Sequence, residues 1–193
     1  MLPKTIYNPL AKDKVTFLAS GEETGGAYEL VEVELAPGGG VGLHYHTNLA
    51  EEFEPVRGIL GIELDGRQLQ VHPGQMAVAP VNSLHRFYNP SPTETILFRT
   101  YIRPARNFEK TLRIAYGLVN DGKTNNKGIP ASIWHMALLF TYGESYLPGI
   151  PLLLQKKIFG FLAWLATRLG KHRELEKYWI GEKVKIKVKA DLN

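Results

Sequence analysis

The chain has no cysteine among its 193 residues. Disulfides and thiolate-based metal centres are therefore excluded, and any metal must be held by imidazole, carboxylate or water. Long apolar runs are also missing. The most apolar segment, Leu152–Leu169, is interrupted by Gln155, Lys156, Lys157 and Arg168. Its unbroken stretch, Ile158–Ala166, falls well short of the ~20 residues a membrane span needs. The first residues, MLPKTIYNPLAKDKVTF, lack the continuous apolar stretch and cleavage site of a secretory signal, so the expected location is cytoplasmic. The sequence contains no internal repeat and no low-complexity segment.

With 44% hydrophobic and 22% charged residues, the composition is that of an ordinary globular protein, long enough for one domain without a second core. The net charge of +4 is uneven: residues 151–193 carry 10 basic and 4 acidic side chains, against 13 and 15 in residues 1–150. The basic tail has no accompanying series of base-stacking aromatics, so a solvated face is expected rather than a nucleic-acid site.

From Val15 to about Arg103, short strand-like segments alternate with glycine and proline, which predicts an all-β barrel or sandwich. Tyr28–Leu35 reads as a strand stopped by Pro37-Gly38-Gly39-Gly40. Ile59–Leu64 and Arg67–Val71 flank Asp65-Gly66, a dipeptide suited to a type I′ hairpin. Met76–Pro80 and Thr95–Arg103 follow as strands. After Pro104 the period changes to about 3.6, with Phe108, Leu112, Ala115 and Val119 on one stripe behind Asn107 as N-cap. A second helix is expected from near Ser132 to about Tyr142, and a third over Leu152–Leu169. That third helix is expected to cover the barrel or pack on a second subunit; an interfacial membrane helix is the alternative. Val184, Ile186 and Val188 alternate with lysines, the pattern of a protected edge strand. The resulting division is a β-barrel over residues 1–104 and a helical extension with a terminal strand over 105–193, packed on the barrel.

His44-Tyr45-His46 places two imidazoles on one face of a strand, close enough for one metal ion. Taken alone, such a pair also occurs as surface or hydrogen-bonded core histidines. Its surroundings are more specific. Gly38, His44, His46, Glu51 and Gly58 fit G-x5-H-x-H-x3,4-E-x6-G at every specified position. After fifteen intervening residues, Gly74, Pro80, His85 and Asn89 fit G-x5-P-x-G-x2-H-x3-N, with Asn82 in place of the third motif residue, glycine.

In these two motifs the chain resembles the cupin superfamily over about residues 27–103, in particular its small single-barrel members. The resemblance implies an antiparallel barrel of jelly-roll type, a double-stranded β-helix, here with a C-terminal helical appendage. It also implies one divalent metal on His44, His46, Glu51 and His85. Asparagine tolerates a left-handed backbone, so Asn82 should preserve the loop shape.

Three imidazoles and one carboxylate suit Fe, Mn, Ni, Cu or Zn, with positions left open for water or substrate. Alternation lets only one of Glu51 and Glu52 face the interior; the motif spacing implies Glu51, leaving Glu52 solvated, unless Pro55 marks a bulge that exchanges them. By the same rule Phe53 and Phe87 face inward near the metal, as pocket wall or plain core. Arg99 and Tyr101 share a face; if it is inward they are candidates for binding an anionic or oxygenated substrate. Asn89 is expected to support a strand end, and His72, His135 and His172 to be structural or surface residues. The functional expectation is a metal-dependent small-molecule enzyme of oxygenase type, with a ligand-binding or metal-sensing cupin and a metal-dependent isomerase as alternatives. Because of its apolar third helix, the protein is expected to be a homodimer.

Overall fold

The computed structural model describes residues 2–180; the strand expected at Val184, Ile186 and Val188 lies outside the described residues. In chain order the strands are β1 (Thr5–Asn8), β2 (Asp13–Ala19), β3 (Glu29–Leu35), β4 (Tyr45–His46), β5 (Ala50–Arg57), β6 (Leu60–Leu64), β7 (Arg67–Val71), β8 (Ala77–Ala79), β9 (His85–Tyr88) and β10 (Ile96–Arg103). Helices α1 (Phe108–Asn120) and α2 (Ile133–Gly143), strand β11 (Ser145–Tyr146), and helices α3 (Leu152–Arg168) and α4 (Arg173–Trp179) complete the described chain.

A six-stranded antiparallel sheet, β1-β2-β3-β10-β5-β8, and a three-stranded one, β7-β6-β9, share one core. Burial alternates strictly along β3 and β10, so Val31, Val33, Leu35, Phe98 and Ile102 point inward, while Glu32, Glu34, Arg99 and Tyr101 lie on the outer face. Phe98 of the larger sheet meets Phe87 of the smaller one edge to face, with ring centroids 5.1 Å apart. The Asp65-Gly66 hairpin has both residues at positive φ, 47° and 78°, as a type I′ turn requires.

The strand region expected from Val15 begins earlier: β1 precedes it and forms with β2 a hairpin that extends the large sheet beside β3. The helical region also departs from the single-core expectation. On α1, Phe108, Leu112 and Tyr116 pack on the barrel core, while Ile114 and Leu118 join Ala137, Leu138, Ala163, Ala166 and Leu175 in a second apolar cluster. One amphipathic helix thus serves two cores. Asn107 occupies the N-cap position of α1 without a side-chain cap; the Glu109 amide instead donates to Glu29 Oε2 of β3 at 3.2 Å. Ser132 does cap α2, accepting from the His135 amide.

Helix α3 packs on α2 and turns Leu153, Phe161 and Trp164 outward, at 73%, 61% and 55% exposure. No helix among the described residues is long and apolar enough to cross a membrane.

Candidate metal centre

Four side chains from three parts of the barrel converge. His46 ends β4, Glu51 lies near the start of β5, His85 opens β9, and His44 is bridged to His85 by reciprocal backbone hydrogen bonds of 3.0 and 2.8 Å. A donor atom from each of His44, His46, Glu51 and His85 lies within 4.8 Å of the other three. An ion bound at ~2.1 Å from each ligand tolerates ligand separations up to about 4.2 Å, so only a small adjustment closes the set.

The loops that deliver these residues explain the motif spacing. Asn82 adopts the left-handed region at φ 67°, and its amide donates to the His46 carbonyl at 2.7 Å, joining the turn before β9 to β4. Gly58 sits at φ 83° with its α-carbon against Ile96; a β-carbon there would come within 2.5 Å of Ile96 Cγ2. Strand β11, immediately after α2, pairs Ser145 with His46, so the helical extension supports one wall of the site. Glu144 anchors this return by two bonds from Arg106, at 2.8 and 2.9 Å, and one from Asn48 at 2.7 Å.

Second partners fix the imidazoles. His44 Nδ1 lies 2.8 Å from the Gly42 carbonyl and His85 Nδ1 3.0 Å from the Ser83 carbonyl, so each Nδ1 donates. Nε2 of His44 is then the acceptor nitrogen, whereas Nε2 of His85 faces a carboxylate and donates to it. Although burial lowers His85, the bond to Glu51 and its charge raise it above the usual imidazole value. His85 Nε2 is 2.9 Å from Glu51 Oε2. His46 Nδ1 is buried without a hydrogen-bond partner, an orphan that a Lewis acid would satisfy. Loss of solvent, reinforced by His46 and His85, pushes His44 down to about 4, and burial also lowers His46. Burial opposes ionisation of Glu51, yet the His85 hydrogen bond and the surrounding imidazoles hold its carboxyl at about 2. Metal binds neutral imidazoles and an ionised carboxylate, so an ion would take the place of the proton that His85 Nε2 shares with Glu51, and the all-N/O donor set fits a divalent first-row ion.

Glu51 is 6% exposed, whereas Glu52 points outward to Arg103 Nε at 3.2 Å. The bulge that Pro55 raised as a possibility falls between the Phe98–Pro55 and Leu97–Arg57 pairs, beyond the two glutamates, so their alternation is intact. Phe53 and Phe87 line the cavity beside the cluster. Arg99 and Tyr101 do not. Both lie on the outer face of β10, Arg99 bonded to Glu32 at 3.1 Å and Tyr101 packed near Tyr28, because the inward positions of that strand are Phe98, Thr100 and Ile102. Asn89 bonds the carbonyls of Leu35 and Glu94 at 2.9 and 2.8 Å. His135 is buried against Glu174, 3.0 Å away, and His72 is exposed.

The cavity encloses about 200 Å³ and reaches residues that sequence reasoning passed over: Asp13, Thr100 and Tyr116. A signal for Asp13 was present, since Asp13, Val15 and Phe17 alternate on one face of β2.

Residues 31–101 match the family model described as Cupin domain. The chain is 29% identical over 145 residues to the probable oxidoreductase virH of Hypocrea virens, covering 72% of this chain and 60% of that protein. It is 27% identical over 136 residues to the oxidoreductase iacF of Pestalotiopsis fici, covering 64% and 66%. The chain therefore spans about 60% to 66% of the length of these curated relatives. Among solved structures, a predicted oxalate decarboxylase from Thermotoga maritima is 22% identical with a TM-score of 0.45, covering 48% of this chain and 80% of that one.

Proposed function

Because residues 31–101 form a cupin domain, a fold that hosts many unrelated chemistries, we propose from the site itself that the protein is a metal-dependent small-molecule enzyme of oxygenase type. The observation that carries this reading is the convergence of His44, His46, Glu51 and His85 at an apolar cavity. A divalent ion bound there would supply Lewis acidity and, if redox-active, one-electron chemistry at its open coordination positions.

The chain's own residues do the remaining work. The Gly42 and Ser83 carbonyls hold the Nδ1 protons of His44 and His85, so Nε2 is the ligand atom each would offer, that of His85 on giving up the proton it shares with Glu51. Glu51 supplies the single negative charge of the set. Phe53 and Phe87 wall the cavity and exclude water from the reacting end. The oxidoreductase names of both curated relatives favour oxidation over isomerisation.

Elemental analysis of natively purified protein, combined with measurement of oxygen uptake, tests the proposal. Iron or copper with uptake dependent on an added substrate supports it. Zinc without uptake moves the reading to Lewis-acid chemistry such as isomerisation, and a metal-free protein moves it to a ligand-binding cupin. The exposed apolar side of α3 further leads us to infer a homodimer.

A further inference from the structure

We propose that Asp13, held by the Tyr116 hydroxyl, is the second polar anchor of the barrel cavity, and that the cavity takes a small, largely apolar molecule carrying a hydroxyl group. This rests on the reading of the barrel interior as a small-molecule site and adds the class of molecule it accepts.

Asp13 is 1% exposed and lines the same cavity as His44, His46 and Glu51. Its Oδ2 accepts the Tyr116 hydroxyl at 2.6 Å, and its Oδ1 is buried with no partner from another residue. A buried carboxylate with one oxygen unmatched costs stability, and a neutral asparagine would accept the same tyrosine hydroxyl without burying a charge. The free oxygen therefore calls for a donor that arrives with a ligand.

Elements around Asp13 provide none. Tyr116 of α1 is the titratable group facing it among the described residues. On β1, the Leu10 and Ala11 amides donate to Asn8 Oδ1 and its Nδ2 makes no hydrogen bond to Asp13, and on β3 the facing residue is Leu35. The flanking lysines turn away, Lys12 toward the Pro37 carbonyl and Lys14 to Glu34.

Asp13 is also remote from the metal-ligand cluster. It aligns with Leu35 at one end of β3, whereas Glu51 aligns through Ile102 with Glu29 at the other end. Val15, Val31, Val33 and Leu112 form the wall along the cavity, which selects an apolar body. One free carboxylate oxygen matches the single donor of a hydroxyl, whereas an ammonium would bring three donors into an apolar wall. A cavity of about 200 Å³ is ample for one ring, since an engineered pocket of roughly 150 Å³ takes benzene. Burial raises the Asp13 carboxyl to about 6, partly offset by the Tyr116 bond, so the anchor is ionised at neutral pH and lost in mild acid.

The test compares benzyl alcohol with toluene, which has the same ring but no hydroxyl, by NMR titration of the full chain with metal content measured on the same samples. At pH 7.5 the wild type is expected to bind benzyl alcohol about tenfold tighter than toluene, a preference that fades below about pH 6. Asp13→Asn should lose both the preference and its pH dependence while retaining metal. Tyr116→Phe keeps the carboxylate and should keep the preference, with the pH midpoint moved upward because the stabilising bond is gone; it serves as the deciding variant if Asp13→Asn does not fold. Equal affinity for the two probes, binding of neither, or a preference that survives in Asp13→Asn would overturn the proposal. A metal-free wild type that still prefers benzyl alcohol would overturn only the enzyme reading.

Discussion

Glu51 and Glu52 are adjacent in the chain yet face opposite sides of β5, one among the histidines and the other at Arg103. Glu51→Gln removes the only negative charge of the donor set while keeping its size, so metal affinity should fall by at least tenfold in a competitive chelator titration. Glu52→Gln should leave it unchanged. A second residue makes a pH prediction. Burial raises the Glu29 carboxyl from 4.5 to about 8, and its Oε1 has no partner. Because the folded protein holds this proton more tightly than the unfolded chain, the associated stability is fully present below about pH 4.5 and is lost as pH rises through about 8. The loss is on the order of 5 kcal/mol at most. Urea unfolding from pH 5 to 9 should show this decline, and Glu29→Gln should flatten it. Glu51, His85 and Phe53 were legible because alternation and motif spacing locate single side chains. Arg99 and Tyr101 could not be placed from the sequence, because their shared face was known but not which face it was; Thr100, between them, is the inward residue.

Among the elements, turns are where sequence and geometry are most tightly linked. Gly58 and Gly66 both have positive φ, but an added β-carbon strikes Ile96 at Gly58 and meets open space at Gly66. Gly66→Ala should therefore cost about 1 kcal/mol, from backbone strain alone. Gly58→Ala should cost about 2–4 kcal/mol, strain and overpacking together, as read from urea midpoints at unchanged slope. Strands β3, β6, β7, β8 and β10 were readable because glycine and proline punctuate them. The β1–β2 hairpin was not, since Pro9, Lys12 and Lys14 mask a short inward stripe. The amphipathic period of α1 revealed its barrel face; its second face, toward α2 and α4, depends on helices whose packing no local pattern specifies.

For the whole molecule, the helical extension closes on the barrel through α1 and β11 and leaves the outer side of α3 to solvent. Sedimentation equilibrium at micromolar concentration should return a dimer, and replacing Phe161 and Trp164 by glutamate should return a monomer with unchanged metal content. A monomeric wild type would refute that assembly. The central claim is that one divalent ion is held by the four converging side chains, and metal stoichiometry tests it most directly. Inductively coupled plasma mass spectrometry of protein purified without chelator should find about one transition-metal ion per chain in the wild type. The combined variant His44→Ala, His46→Ala, His85→Ala should carry essentially none while its circular dichroism still shows a folded barrel. Full occupancy in that variant, or a wild type that takes up no divalent metal, would contradict the account.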